Sequence, residues 1–152
     1  LDIAFFEEPI VQNDVRLMAE LRRETSIPIT AGQNEGLAYR FRDMLLAGAV
    51  DVIQPNAIIT GGMTQCVPIA GMASAFNVPI SNGGGAPLHN AHLQAGLSVG
   101  TAVEYQFNTV AAGDVLYGEK PVQTDGLLSM SDEPGFGLTP NPDVLKSARD
   151  DG

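Results

Sequence analysis

The sequence is short of positive charge. It has 8 Lys and Arg residues against 18 Asp and Glu residues, so the 152-residue chain carries a formal net charge of −10 at pH 7. Nucleic acids and anionic membranes attract clustered basic residues, and this balance argues against both as partners. Long hydrophobic runs are missing too, because Asp, Glu, Arg, Gly or Pro interrupts each apolar stretch before the roughly 18 residues that a membrane span needs. These absences predict a soluble protein.

Cysteine is scarce, and the sequence has no initiating Met. The one cysteine, Cys66, cannot form an internal disulfide or a cysteine-based metal cluster, which suits a reducing compartment and predicts a cytoplasmic protein. The start of the chain is acidic and strand-like, unlike the basic and then apolar start of a secretory signal. Because the chain begins at Leu1 inside an expected strand, we expect an upstream region that this sequence does not include.

Short apolar runs rich in Val, Ile and Phe alternate with longer amphipathic stretches. This alternation is typical of strand and helix units in a parallel α/β sheet. The runs predict strands at 2–6, 28–31, 50–54, 78–81 and 102–107, and the stretches predict helices at 13–26, 37–47, 63–76 and 88–98. Asn13 is the expected N-cap of the first helix and Gly48 the expected end of the second. Gly, Pro and Asp predict an irregular segment over 113–142, with a short hairpin, before a helix at 143–149.

Polar residues follow each predicted strand. Both an open doubly wound sheet and part of a closed barrel fit the alternation, and in either architecture ligands bind where the strands end. The strand-end segments are Glu7-Glu8-Pro9, Gly32-Gln33-Asn34-Glu35, Gln54-Pro55-Asn56, Ser81-Asn82-Gly83-Gly84-Gly85 and Glu104. Each residue alone also fits a helix cap or a turn, but five successive polar strand ends predict a site. In the open-sheet alternative the glycines at 83–85 would bind an anion, without the Lys and Ser or Thr of a phosphate loop.

Several of these segments resemble the enolase superfamily. A strand that closes on Glu-Glu-Pro is similar to the fourth barrel strand of that superfamily, and later segments are similar to its fifth to eighth strands and its C-terminal segment. The matching segments are Phe5-Phe6-Glu7-Glu8-Pro9, 27–32, 50–55 with Gly61-Gly62-Met63-Thr64, 78–81, Val103-Glu104-Tyr105 and 134–138. The resemblance implies strands four to eight of a TIM-type (β/α)7β barrel over 1–112, and a C-terminal segment over 113–152 that packs on a capping domain. That capping domain and the first strands are not in this sequence.

The mandelate racemase-like branch, which includes the acid-sugar dehydratases, fits better than the muconate-lactonizing branch. The deciding position is Asn56, where the muconate-lactonizing type carries a catalytic Lys and the mandelate racemase type an Asp paired with His. The partner His position holds Asn82. An amide cannot take a proton at neutral pH, so the resemblance implies that Asn56 and Asn82 orient substrate hydroxyls and that the Asp-His pair is missing.

The superfamily abstracts a proton next to a carboxylate while bound Mg²⁺ stabilises the resulting enediolate. The resemblance implies Glu7 as one Mg²⁺ ligand, with Glu8 supporting it. The next ligand position, a Glu or Asp in the family, is Gln33, whose amide oxygen can coordinate Mg²⁺ without adding charge. Glu35, two residues later, is the alternative ligand, ranked slightly behind Gln33. A third ligand and a Lys-containing motif would lie upstream of Leu1.

Glu104 matches the carboxylic acid that hydrogen-bonds the enediolate oxygen in the mandelate racemase branch. His89 follows a glycine-rich loop that could bring it toward Asn82 as a replacement base, although a surface or capping role is the plainer interpretation. The base is therefore either His89 or the upstream Lys. The resemblance implies dehydration of a sugar acid or other hydroxy acid by a homo-oligomer. The alternatives are a racemase or epimerase, and a non-catalytic relative or fragment that keeps the fold.

Overall fold

The computed structural model describes residues 2–84, 87–118 and 120–150. Its main feature is a parallel sheet of five strands that pair in chain order. The strands are β1 (Phe6–Glu7), β2 (Ile29–Ala31), β3 (Val52–Ile53), β4 (Ile80–Asn82) and β5 (Gly100–Val103). Each lies within or beside the apolar run that predicted it, and each is shorter than that run.

The carboxyl ends of the strands lie at one edge of the sheet, because neighbouring strands run in the same direction. The register places Glu7 opposite Thr30 at one side of the sheet and Asn82 opposite Val103 at the other. The polar segments that follow the strands are therefore brought to the same edge.

A helix follows each strand and covers one face of the sheet. The five helices are α1 (Val15–Glu24), α2 (Ala38–Leu46), α3 (Met63–Ala75), α4 (Pro87–Gly96) and α5 (Phe107–Leu116). Gly48 lies just beyond α2 with a φ of +59°, a conformation that glycine adopts without strain, so its expected role as a helix stop is confirmed. The core between the sheet and the helices contains Met18, Ile29, Phe41, Met44, Ile53, Ile69 and Ile80, all fully buried.

The N-cap of α1 differs from the prediction. Asp14 is the cap, since its carboxylate accepts a hydrogen bond from the backbone N–H of Leu17 at 3.0 Å. Asn13, the predicted cap, instead ends a short 3-10 helix (Val11–Asn13) and is buried. Its side chain bonds two distant carboxylates rather than the helix end.

The chain after β5 also departs from the prediction. The strand expected at 102–107 ends at Val103, and α5 crosses residue 112, where the barrel portion was expected to give way to an irregular segment. Helix α5 carries apolar residues on more than one side: Val110 is buried, whereas Val115, five residues later and therefore on a different side of the helix, is 58% exposed. It therefore lacks the single apolar stripe that identifies a helix in a sequence.

Two expectations for the C-terminal part hold. Strands β6 (Gln123–Thr124) and β7 (Leu127–Leu128) form an antiparallel hairpin, and α6 (Pro142–Asp150) follows. Among the described residues, no helix is both long enough and apolar enough to cross a membrane.

Candidate active site

Glu7, the last residue of β1, lies among other carboxylates at the strand-end edge. Burial, the negative charge of Glu104 and, to a smaller extent, that of Glu8 raise the pKa of Glu7 above its ordinary value. A hydrogen bond from the Gln54 side chain acts in the opposite direction but does not outweigh them. Carboxylates crowded in this way favour a cation between them, because a positive charge relieves both the burial and the repulsion.

Gln33 follows β2 and lies beside the same edge. Its side chain packs against Gly83, where a Cβ atom would lie 3.1 Å from Gln33 Oε1. That oxygen is buried and accepts no hydrogen bond from any described residue. A buried acceptor without a donor costs about 1–3 kcal/mol, so a cation or an O–H group in contact with it stabilises the site.

Glu35, the alternative ligand, is engaged elsewhere. Arg40 donates to Oε2 of Glu35 at 2.7 Å, and Asn13 donates to Oε1 at 3.1 Å. The Glu35 side chain, which forms this ion pair with Arg40, is only 13% exposed. Both oxygens of Glu35 thus have donors, whereas Oε1 of Gln33 has none among the described residues.

Asn13 joins the two loops that follow β1 and β2, a role that the sequence analysis missed. Its Nδ2 donates to Glu8 Oε1 at 3.1 Å as well as to Glu35. The same oxygen of Glu8 accepts from the backbone N–H of Gly32 at 3.3 Å. The bonds hold the Glu8 carboxylate against the segment that carries Gln33, as expected for a residue that supports a ligand.

Glu104 follows β5 and faces the glycine loop after β4. Its Oε2 accepts from the backbone N–H of Gly84 at 2.6 Å, and its Oε1 accepts from Gln106 Nε2 at 2.7 Å. The backbone N–H of Glu104 donates to the carbonyl of Asn82 at 2.8 Å. The carboxylate is thus held in a defined orientation within electrostatic reach of Glu7.

Asn56 and Asn82 are buried and take part in bonds that hold the loops. Asn56 Oδ1 accepts from the backbone N–H of Ile58 at 3.1 Å and from Asn90 Nδ2 at 3.2 Å. Asn82 Nδ2 donates to the carbonyl of Pro55, and its Oδ1 is buried with no donor among the described residues. The two positions are close in the fold, but neither holds a group that exchanges protons.

Asn90, inside α4, is a second residue that the sequence analysis missed. It is fully buried, its Nδ2 donates to Gly83 O at 3.3 Å as well as to Asn56, and its Oδ1 accepts from the backbone N–H of Ala57 at 2.9 Å. These bonds join the loop after β3 to the loop after β4. Asn has a low helix propensity, so an Asn inside a helix suggests that its side chain has bonding partners. This is the one signal in the sequence that could have identified Asn90.

His89 lies on α4 and packs on the C-terminal segment. Its ring meets the ring of Phe136 edge-on, with centroids 5.0 Å apart. Burial and the neighbouring His92 lower the pKa of His89, which keeps the imidazole neutral. It lines a cavity of about 230 Å³ together with Asn56 and Gly84, and Asn82 is not among the residues that line that cavity in the described part of the chain. Gly85, the last residue of the expected anion loop, lies outside the described residues.

The described residues fit part of a Mg²⁺ shell. Glu7 supplies a carboxylate with a raised pKa, and Gln33 supplies a buried oxygen that lacks a donor. Hard oxygen ligands of this kind are those that Mg²⁺ prefers. Within residues 2–84, 87–118 and 120–150, no group of three or more His, Cys, Asp or Glu side chains is placed to hold a metal alone.

Comparisons with known proteins cover almost the whole chain. A sequence model described as enolase C-terminal domain-like matches residues 1–144. A D-galactonate dehydratase of Xanthomonas campestris pv. campestris (strain B100) is 31% identical over 159 residues, which cover 96% of this chain and 41% of that protein. The chain therefore spans about two fifths of the length of this relative.

Solved structures show the same likeness. A mandelate racemase/muconate lactonizing enzyme from a marine actinobacterium, in complex with magnesium, is 30% identical with a TM-score of 0.85, over 96% of this chain and 41% of that chain. An L-talarate dehydratase from Polaromonas sp. JS666, complexed with Mg and L-glucarate, is 26% identical with a TM-score of 0.83, over 94% of this chain and 38% of that chain.

Proposed function

The chain belongs to the enolase C-terminal domain-like family, and we propose that it provides part of the active site of a Mg²⁺-dependent hydro-lyase that dehydrates a sugar acid or another hydroxy acid. Its five parallel strands correspond to the C-terminal portion of the superfamily barrel. Two similar proteins are named as dehydratases of sugar acids, D-galactonate dehydratase and L-talarate dehydratase. The proposal concerns the natural full-length protein.

The observation that carries the proposal is that Glu7, at the end of β1, and Gln33, in the segment after the neighbouring strand β2, lie at the same edge of the sheet. Glu7 has a raised pKa because it is buried near Glu104, and Gln33 presents a buried oxygen that lacks a donor. A divalent cation bound there supplies positive charge against the negative charge that develops when a proton next to a carboxylate is removed. Glu7 and Gln33 would hold it.

The other residues have distinct roles in this proposal. Glu104, fixed by Gly84 and Gln106, faces the reacting end of the substrate. In this role, which the mandelate racemase pattern implies, its carboxyl group hydrogen-bonds the substrate carboxylate oxygen that gains charge. Asn56 and Asn82 bind substrate hydroxyls, since their amides both donate and accept.

Dehydration is favoured over racemisation because the Asp-His pair of the racemase type is replaced by two amides. Racemisation needs a proton acceptor on each side of the substrate carbon, whereas elimination needs one base for the α-proton and one acid that gives a proton to the neighbouring hydroxyl, which leaves as water. The product is a 2-keto-3-deoxy acid. The base is His89 or a Lys from the upstream barrel strands.

A second candidate is a relative that binds acids without turning them over. It is supported by the amides at positions 33, 56 and 82, since all three positions carry ionisable groups in the mandelate racemase pattern. A racemase or epimerase remains the third candidate, and it requires His89 to act as a base.

The test is an activity screen of the full-length protein with Mg²⁺. D-Galactonate, L-talarate and L-glucarate are offered, and the 2-keto-3-deoxy product is measured by its reaction with semicarbazide. Turnover of at least one acid, lost on chelation of Mg²⁺, is the expected result. Binding of the acids without product supports the non-catalytic candidate, and exchange of the substrate α-proton in D2O without dehydration supports the racemase.

We further propose that residues 113–152 pack on a capping domain and that the protein is a homo-oligomer. Apolar side chains in this segment support both, since Val122 is 61% exposed and Leu127 is 73% exposed. Several large apolar side chains exposed in one segment fit a surface that another domain or subunit covers. Light scattering of the full-length protein gives the oligomeric state, and a monomer contradicts the second part.

A further inference from the structure

Gln54 occupies the middle of the strand-end edge. It directly follows β3, the central strand, and its backbone N–H donates to the carbonyl of Ala31 at 2.9 Å. The residue is only 4% exposed. Burying a long polar side chain costs free energy unless its polar atoms have hydrogen-bond partners. The partners of Gln54 therefore indicate its role.

The side-chain amide of Gln54 lies between the two residues that would hold the metal. On one side, Gln54 is near enough to Glu7 for its side-chain amide to lower the pKa of that carboxyl through hydrogen bonding. On the other side, a Cβ atom at Gly83 would lie 3.0 Å from Gln54 Nε2 and 3.1 Å from Gln33 Oε1. Gln54 and Gln33 thus pack against the same glycine, and Gly83 leaves the space that lets them approach.

The oxygen of Gln54 has no donor among the described residues, although it is buried. Gln94 offers a comparison, because its Oε1 is also buried without a donor while its Nε2 donates to Ile80 O at 2.8 Å. Ile80 begins β4, so Gln94 lies at the opposite end of the strand from the site. The two residues share their chemistry and differ in their distance from Glu7.

We propose that Gln54 is a positioning residue of the metal site. Its N–H group orients Glu7, and its Oε1 atom accepts a hydrogen bond from an O–H group of the ligands that bind there. This inference rests on the proposed function. The O–H group belongs either to a water on the metal or to a hydroxyl of the substrate. Groups that orient metal ligands typically change metal affinity by about 10- to 100-fold when they are removed.

The experiment uses the full-length protein with the substitution Gln54→Met, which keeps the length of the side chain and removes both of its polar atoms. Gln94→Met is the matched control. Calorimetry measures the Kd of Mg²⁺ alone, and then the Kd of glycolate and of acetate at saturating Mg²⁺. Glycolate differs from acetate by one hydroxyl. Thermal unfolding of each variant is measured in parallel, and Gln54→Asn replaces Gln54→Met if the latter does not fold.

The expected result is a Kd for Mg²⁺ about 10- to 100-fold higher in Gln54→Met and unchanged in Gln94→Met. An unchanged Mg²⁺ affinity with a lost preference for glycolate over acetate also supports the inference and assigns the O–H group to the substrate. If neither quantity changes, or if Gln94→Met changes both as much, the inference is wrong while the proposed function stands. A wild-type protein that binds neither Mg²⁺ nor glycolate contradicts the proposed function itself.

Discussion

The backbone N–H of Gly84 donates to Glu104 Oε2 at 2.6 Å and so joins the loop after β4 to the end of β5. This bond depends on glycine at position 84, because the backbone there lies close to the Asn56 side chain. Gly84 has a φ of +82°, and a Cβ atom at this position would collide with Asn56. Asn56 is itself held by Asn90. The orientation of the candidate acid therefore depends on a glycine and on two buried amides.

Gly84→Ala should destabilise the protein by about 1–3 kcal/mol, because the new methyl group requires a strained φ and meets Asn56. Gly36→Ala is the matched control, since no atom lies within 4 Å of its Cβ position. Urea unfolding of both variants measures the difference. Equal stabilities for the two variants would show that the loop has room at position 84.

Asn13→Asp tests the amide that joins the loops after β1 and β2. The substitution keeps the shape, removes the N–H donors to Glu8 and Glu35, and adds a third carboxylate between them. We expect a loss of about 1–3 kcal/mol at pH 7. Asn34→Asp is the control, because Asn34 bonds Glu8 only from an exposed position, and it should cost well under about 1 kcal/mol. A similar cost for both substitutions contradicts the role given to Asn13.

The lowered pKa of Asp51 predicts how the free energy of unfolding changes with pH. Burial alone would raise its pKa, but hydrogen bonds from Arg22 and the backbone N–H of Ile29 lower it below 3.8. Because the folded pKa is lower than the unfolded one, the stabilisation is present above about pH 3.8 and is lost as the pH falls through the lower folded value. Asp51→Asn should therefore cost about 1–2 kcal/mol at neutral pH and progressively less in acid.

The control for Asp51 is Asp43→Asn, which breaks the exposed pair with Arg42. An exposed pair contributes about 0–1 kcal/mol, so this variant should unfold almost like the wild type. Chemical unfolding between pH 2 and pH 7 compares the two variants. A stability difference between Asp51→Asn and the wild type that stays constant over this range contradicts the pKa argument.

The sequence predicts the sheet and the first four helices because their apolar residues are periodic. Met18 and Phe41, for example, lie on the apolar stripes of α1 and α2 and are buried as that pattern requires. Helix α5 was missed because Val110 and Val115 lie on different sides of it and give no single apolar stripe, and because Gly113 breaks the helical composition. Local pattern predicts an element only where one of its faces is consistently apolar.

The site was predictable where residues adjoin strand ends and not where they depend on distant contacts. Glu7, Gln33 and Glu104 follow their strands directly, and the fold brings them to one edge. Gln54 also follows its strand directly, but its role beside Gln33 is identified only from its contacts in three dimensions, as is the role of Asn90 inside α4. Asn13 shows the same limit, since the pattern that suggested a helix cap gives no information about carboxylates on other loops.

The most direct test of the account is calorimetric titration of Mg²⁺ into the full-length protein and its Glu7→Gln variant. The variant removes the charge of the one carboxylate that the described residues supply to the metal while keeping its shape. The account predicts a single site with a micromolar-to-millimolar Kd in the wild type, of the order typical for Mg²⁺ held by few carboxylates, and at least about a 10-fold weaker one in the variant. Equal Mg²⁺ affinity in the two proteins would contradict it.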